Sequence, residues 1–88
     1  MYRVSFIESA LKSIKKLDKY TQRIILEWVE KNLEGCSDPR IQGRLLTANK
    51  KGQWRYRVGD YRIIAEIQDQ KIIILFITIG HRKDVYMK

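Results

Sequence analysis

The chain has 88 residues, of which 44% are hydrophobic and 32% are charged. This length has room for a single domain, residues 1–88, and the composition is too apolar for a disordered tail and too polar for a membrane protein. The formal net charge of +8 indicates that the partners are polyanions, either nucleic acid or an acidic protein.

The N-terminal third predicts one strand followed by two helices. Residues 2–7 alternate in polarity, which predicts a strand with its even-numbered side chains on one face. From Glu8 onward apolar residues recur at helical spacing, with lysines on the other side. Asp18 predicts a break and a helix cap, and Gly35 can end the second helix in a left-handed conformation. The apolar stripe of this second helix, which we expect in the core, consists of Ile24, Ile25, Trp28, Val29 and Leu33.

Residues 35–53 are rich in turn-forming and basic side chains and predict a surface connection. We expect Leu45 and Leu46 to fix its middle to the core. Lys50 and Lys51 follow close together and are candidate RNA-binding residues.

Three strands are predicted in the C-terminal half, over residues 53–58, 61–68 and 71–79. Gly59 and Asp60 suit a two-residue hairpin turn with glycine first, and Asp69 and Gln70 suit a second turn. The predicted fold class is α+β: an N-terminal strand, a two-helix hairpin and a three-stranded antiparallel meander, with the helices on one face of the sheet.

Three arginines of the first predicted hairpin are candidate site residues. Alternation places Arg55 and Arg57 on one face, and a two-residue turn puts Arg57 opposite Arg62. Like charges at a cross-strand position destabilise a sheet, whereas guanidinium groups bind phosphate oxygens in a bidentate manner. A phosphate-binding surface is therefore predicted. The alternative is that Glu66 or Asp60 neutralises these arginines.

The C-terminal segment after Gly80 carries a second group of candidates, namely His81, Arg82, Lys83 and Tyr86. A histidine can titrate near neutral pH, and a tyrosine can stack on a base. Continued alternation predicts that His81 lies on the same face as Arg62. Lys83 is a candidate RNA-binding residue.

RNA cleavage without a metal requires activation of a 2′-hydroxyl, charge stabilisation at phosphorus and a proton for the leaving 5′-oxygen. Arginines serve only the second of these well because they rarely lose a proton. Paired acidic residues suited to Mg²⁺ are not evident, and one cysteine and one histidine make a zinc site improbable. We therefore expect no metal and no cofactor. The N-terminus lacks the features of a secretory signal, so we expect a cytoplasmic protein with no membrane association.

The residues 54–64, WRYRVGDYRII, followed by an apolar strand and then by residues 80–86, GHRKDVY, closely resemble the RelE branch of the RelE/ParE toxin superfamily. The order of elements along the whole chain matches as well. The resemblance implies the RelE-like microbial RNase fold. It also implies the toxin of a type II toxin-antitoxin system, a ribosome-dependent endoribonuclease that cleaves mRNA in the decoding site and inhibits translation.

The resemblance implies further partners and site residues. The partners are the ribosome with its mRNA and an acidic, RelB-like antitoxin, whose complex with the toxin binds operator DNA. Arg55 and Arg57 match basic catalytic positions that are often lysines. Arg62 matches the arginine at the scissile phosphate. The remaining catalytic matches are Arg82 and Tyr86, the tyrosine being the one that stacks on the substrate base. Because Arg55 and Arg57 stand where relatives often have lysine, they are weaker candidates for a general base. This favours His81 for proton transfer.

Two other functions are consistent with the sequence. The ParE-like branch shares the scaffold but inhibits DNA gyrase, and the histidine, arginine and tyrosine near the C-terminus have no evident use in that activity. A non-catalytic RNA-binding module would use the arginines for phosphate and Tyr86 for stacking.

Overall fold

A computed structural model describes residues 1–46, 53–81 and 83. These residues form two helices and five strands. In chain order they are β1 (Arg3–Phe6), α1 (Glu8–Lys15), α2 (Lys19–Asn32), β2 (Arg44–Leu45), β3 (Gln53–Val58), β4 (Tyr61–Gln68) and β5 (Ile73–His81). No helix among them has the length and apolar content needed to cross a membrane.

The five strands form one mixed sheet in the order β1-β5-β4-β3-β2. The meander β3-β4-β5 is antiparallel, and β1 pairs in parallel with β5 at the opposite end of the chain. The predicted α+β class, with helices against one face of the sheet, is confirmed. The two-residue strand β2 was not predicted, and it extends the sheet beyond β3 within the expected surface connection.

The core lies between the helices and one face of the sheet. Alternate residues of β3 and β4 belong to the core cluster, and in β5 the alternation shifts by one residue between Phe76 and Ile79. The two helices contribute Ala10, Ile14, Ile25, Val29 and Leu33, and the sheet contributes Tyr56, Val58, Ile63, Ala65, Ile74, Phe76 and Ile79. Trp28 packs against this cluster, as predicted. Ile24, by contrast, is 41% exposed, so the predicted apolar stripe is wider than the one that is buried.

Asp18 caps α2, as its position predicted. Its carboxylate accepts hydrogen bonds from the backbone N–H of Thr21 at 3.0 Å and from the Thr21 hydroxyl at 2.6 Å. These bonds, led by the one from the hydroxyl, lower the pKa of the Asp18 carboxyl. Gly35 beyond the end of α2 has a φ of +78°, as expected for the end of a helix. The Asp18 cap at the start of α2 therefore fixes the sharp turn between the two helices.

The connection from α2 to β2 is held by polar contacts, and of the two predicted leucines only Leu46 is partly buried. Leu45 is 53% exposed in the edge strand, so the expectation that it anchors the connection is wrong. Instead, the Tyr56 hydroxyl donates to the carbonyl of the buried Pro39 at 2.8 Å. A Cβ at Gly43 would clash with the Arg55 carbonyl oxygen. Backbone contact this close requires glycine and brings β2 alongside β3.

The turn between β4 and β5 is longer than predicted. It spans residues 69–72, so β5 begins at Ile73 and not at Lys71. Ile72 occupies the left-handed region with a φ of +57°, which is unfavourable for a β-branched residue. The expected two-residue turn is therefore wrong. The sequence could not reveal the longer turn, because nothing in it marks Ile72 as a residue with positive φ.

Candidate functional site

The β3–β4 hairpin forms the frame of the candidate site. Its two-residue turn contains Gly59, whose φ of +62° suits the first turn position. Val58 pairs with Tyr61 across the turn, and Arg57 pairs with Arg62. The predicted opposition of Arg57 and Arg62 is thus confirmed. Since directly opposite residues share a face, both side chains start from the side of the sheet that faces away from the helices.

Arg62 is buried, with 6% of its surface exposed. Its Nη1 donates to the carbonyl oxygens of Gly59 and Tyr61 at 3.3 and 3.2 Å, which holds the guanidinium against the hairpin turn. Its Nε is buried and has no acceptor among the described residues. Burying a charge without a counterion is costly. A cation kept in this state is suited to an anionic ligand that completes its hydrogen bonds.

Arg57 and Arg62 form no ion pair with an acidic residue among those that the structure describes. In the described part of the chain, the ion pairs are Arg3–Glu34, Lys12–Glu8 and Arg40–Asp69. Glu66 pairs with Gln53, four residues along β4 from Arg62, and a strand of that length spans about 13 Å. The alternative of internal neutralisation therefore fails for Arg57 and Arg62.

The edge strand β2 adds an arginine that the sequence analysis missed. Arg44 lies directly opposite Arg55, so a second arginine pair stands next to the first. Arg55 and Arg57 are two residues apart on β3, about 7 Å along the strand. Arg44, Arg55, Arg57 and Arg62 are called the arginine face below. No periodic signal could have revealed Arg44, because a two-residue strand is too short to show alternation.

His81 lies on the other face of the sheet from Arg62, contrary to the prediction. It pairs with Tyr61, whereas Gly80 pairs with Arg62. The cause is a β-bulge: Ala65 pairs with Phe76 but Ile64 pairs with Thr78, so β5 contains one extra residue. An extra residue reverses the alternation beyond it. The imidazole instead contacts the Tyr61 ring edge-on, with centroids 5.6 Å apart.

The other predicted site residues lie at the end of the chain or in the loop before β3. Lys83 is exposed, and its backbone N–H donates to Nδ1 of His81 at 3.3 Å. Lys50, Lys51, Arg82 and Tyr86 lie outside the described residues, so their predicted roles stay predictions. Residues 1–46, 53–81 and 83 contain no group of three or more His, Cys, Asp or Glu side chains that could hold a metal ion.

The chain matches the model of a known family over most of its length. A model of the ParE toxin of type II toxin-antitoxin systems, parDE, matches residues 4–86. The chain belongs to the RelE/ParE toxin superfamily. It is a RelE-like toxin of a type II toxin-antitoxin system, as the resemblance of residues 54–64 and 80–86 predicted.

Relatives of this toxin share its length as well as its fold. An Escherichia coli protein described as a RelE-like toxin is 32% identical over 88 residues, covering 97% of this chain and 90% of that protein. The structure of the RelBE2 toxin-antitoxin complex from Mycobacterium tuberculosis contains a chain with a TM-score of 0.83 and 25% identity, covering 92% of this chain and 91% of that one. The archaeal RelE-RelB complex from Pyrococcus horikoshii contains a chain with a TM-score of 0.70 and 27% identity, covering 92% of this chain and 94% of that one.

Proposed function

We propose that this RelE-like toxin is an endoribonuclease that cleaves mRNA in the decoding site of the ribosome and thereby inhibits translation. The single observation that carries the proposal is the pairing of Arg57 with the buried Arg62, which has no carboxylate partner in the described residues. Its setting is the cytoplasm, where ribosomes are. Its partners are the ribosome with mRNA and an acidic RelB-like antitoxin, together with which it binds operator DNA.

In the proposed reaction the 2′-hydroxyl of a nucleotide attacks the adjacent phosphorus. A P–O2′ bond forms, the P–O5′ bond breaks, and the products are a 2′,3′-cyclic phosphate and a 5′-hydroxyl. The 2′-hydroxyl loses a proton and the leaving 5′-oxygen gains one, so no oxidant and no further reactant is needed. Negative charge builds up on the phosphoryl oxygens in between, and preorganised cations lower the barrier to that step.

The arginine face is suited to this charge stabilisation. Exposed Arg57 is placed to meet a phosphate first. Buried Arg62 beside it supplies a positive charge that water screens poorly. Arg55 extends the surface along β3. Proton transfer belongs to other groups, because guanidinium groups remain protonated. We assign it to Tyr86 or a lysine, since His81 lies on the opposite face of the sheet.

The test uses purified toxin, programmed ribosomes and an mRNA of known sequence, with 5′ ends mapped after incubation. We expect cuts with 5′-hydroxyl ends on ribosome-bound mRNA and little cleavage of free RNA. Arg62→Gln should abolish cutting. The matched control is Arg23→Gln, which removes one charge from the exposed side of α2 and should cut normally.

A ParE-like activity is the second candidate, since the matching family model is that of ParE toxins. It predicts that the toxin inhibits DNA gyrase supercoiling and leaves ribosome-bound mRNA intact. This pair of results would refute the nuclease proposal. Binding of RNA in proportion to positive charge, with no cut under any condition, would instead indicate a non-catalytic RNA-binding module.

A further inference from the structure

His81 combines three features that do not suit a proton donor at the arginine face. It lies on the helix side of the sheet, opposite Tyr61. Its ring meets the Tyr61 ring at 77°, with centroids 5.6 Å apart. Its Nδ1 accepts a hydrogen bond from the backbone N–H of Lys83 at 3.3 Å. The ring and one of its nitrogens therefore have structural neighbours within this toxin.

The contact with Lys83 has the pattern of a helix cap. A capping side chain accepts a hydrogen bond from the backbone N–H two or three residues later. Lys83, two residues after His81, has helical conformation, while His81 is the last residue of β5. The imidazole thus lies between the end of β5 and the backbone of Lys83. Contact with the Tyr61 ring holds it in place there.

We infer that His81 is a positioning residue, whose neutral imidazole accepts the Lys83 amide and restricts the backbone at Lys83, two residues beyond the end of β5. In the sequence, the predicted catalytic residues Arg82 and Tyr86 lie within three residues of Lys83, so we expect release of the Lys83 amide to slow cleavage. The activity part of this inference rests on the proposed function. The structural part does not.

The structural part is tested by NMR on the free toxin. His81 is the single histidine of the chain, so its ring nitrogens can be assigned without ambiguity. We expect the proton of the neutral ring on Nε2 and none on Nδ1, because Nδ1 is the acceptor. We also expect slow exchange of the Lys83 amide proton. A proton on Nδ1 would overturn the inference whether or not the toxin cleaves RNA.

Two amide variants separate capping from proton transfer. His81→Asn places an acceptor oxygen at the same number of bonds from the backbone as Nδ1, and asparagine is a favoured cap. His81→Gln carries the same amide one methylene further out. In the Asn variant we expect slow exchange of the Lys83 amide and nearly wild-type cleavage. In the Gln variant we expect fast exchange and about fivefold slower cleavage, which corresponds to the free energy of one lost cap.

A general acid at position 81 predicts a different result. Neither amide transfers a proton in this way, so both variants would then lose cleavage equally, by on the order of a hundredfold or more. That outcome would overturn the inference. If the wild-type toxin shows no ribosome-dependent cleavage, the proposed function fails, and the tautomer and the exchange of Lys83 still decide the role of His81.

Discussion

Arg57 and Arg62 lie directly opposite each other on β3 and β4, and neither has a carboxylate partner among the residues that the structure describes. Their proximity opposes folding, because like charges repel across a strand pair. A toxin that keeps both residues is less stable than it could be, and this has measurable consequences.

Replacing Arg57 by threonine should stabilise the free toxin. The substitution removes the repulsion and introduces a residue favoured in strands, so we expect about 0.5 kcal/mol of added stability at low ionic strength. The charge-dependent part should shrink as salt is added. Urea unfolding at two salt concentrations measures both the gain in stability and its dependence on salt. Arg57→Lys keeps the charge and serves as the control; an equal gain from lysine would rule out repulsion as the cause.

Arg62→Met should leave stability unchanged or raise it by up to about 1 kcal/mol, because a buried cation without a counterion is replaced by an apolar side chain of similar length. The same variant should no longer cleave mRNA. Thermal or urea unfolding and the ribosome assay test the two parts separately. Marked destabilisation would mean that the bonds from Arg62 to Gly59 and Tyr61 support the hairpin and that the charge has a structural purpose.

Arg44→Gln should weaken binding of single-stranded RNA. If Arg44 contacts one phosphate, the slope of log K against log salt should fall by about 0.7. Fluorescence anisotropy over a salt series measures this, with Arg23→Gln on α2 as the control of equal charge. Identical slopes for the two variants would remove Arg44 from the RNA-binding surface and limit that surface to β3 and β4.

Ile72→Gly should stabilise the toxin. Ile72 has a φ of +57° and is 43% exposed, so glycine relieves backbone strain while little buried surface is lost. A gain of about 1 kcal/mol is expected from the cost of the left-handed region. Ile72→Val keeps the branched side chain and should bring no gain. Destabilisation by glycine would show that the exposed side chain makes contacts worth more than the strain.

Asp69 should make stability depend on pH in the acidic range. The Arg40 guanidinium donates two hydrogen bonds of 3.0 Å to its carboxylate and Tyr2 donates one of 2.7 Å. These contacts, first those of Arg40, lower the pKa of Asp69 in the folded state. The stabilisation is complete above the unfolded-chain pKa of about 3.9 and is lost as pH falls through the lower folded-state value.

Asp69→Asn tests this dependence. The variant should be less stable than the wild type at neutral pH, and the difference should narrow below about pH 4, where the wild-type carboxylate becomes protonated. Unfolding curves between acidic and neutral pH measure the difference. Asp38→Asn, at another exposed carboxylate of the same region, is the control. A difference that stays constant with pH would contradict the role assigned to the ion pair.

Local signals predicted much of this fold. Alternation gave the bounds of β3 and β4 as observed, and Gly59 fixed the turn and with it the opposition of Arg57 and Arg62. Asp18 marked the start of α2. In each case the information lies within a few residues of the feature, where propensity and periodicity act.

Features that depend on distant pairing could not be predicted in the same way. The apolar run of β5 contains a bulge without any glycine to mark it. This single extra residue puts His81 on the face opposite to the predicted one. Arg44 acquires its position only by pairing with Arg55 across a connection whose length hides the register. The order of strands, with β1 beside β5, likewise depends on contacts that no local pattern encodes.

The parallel pairing of β1 with β5 also constrains the kinetics of folding. Arg3 pairs with Ile73, so the strand pair closes a separation of 70 residues in a chain of 88, and α1 packs on β5 as well. Contacts of such long sequence separation form slowly, whereas a hairpin with a two-residue turn forms within microseconds. The arginine hairpin β3–β4 can therefore assemble early, while the N-terminal strand and helix must wait for the final strand before they can dock.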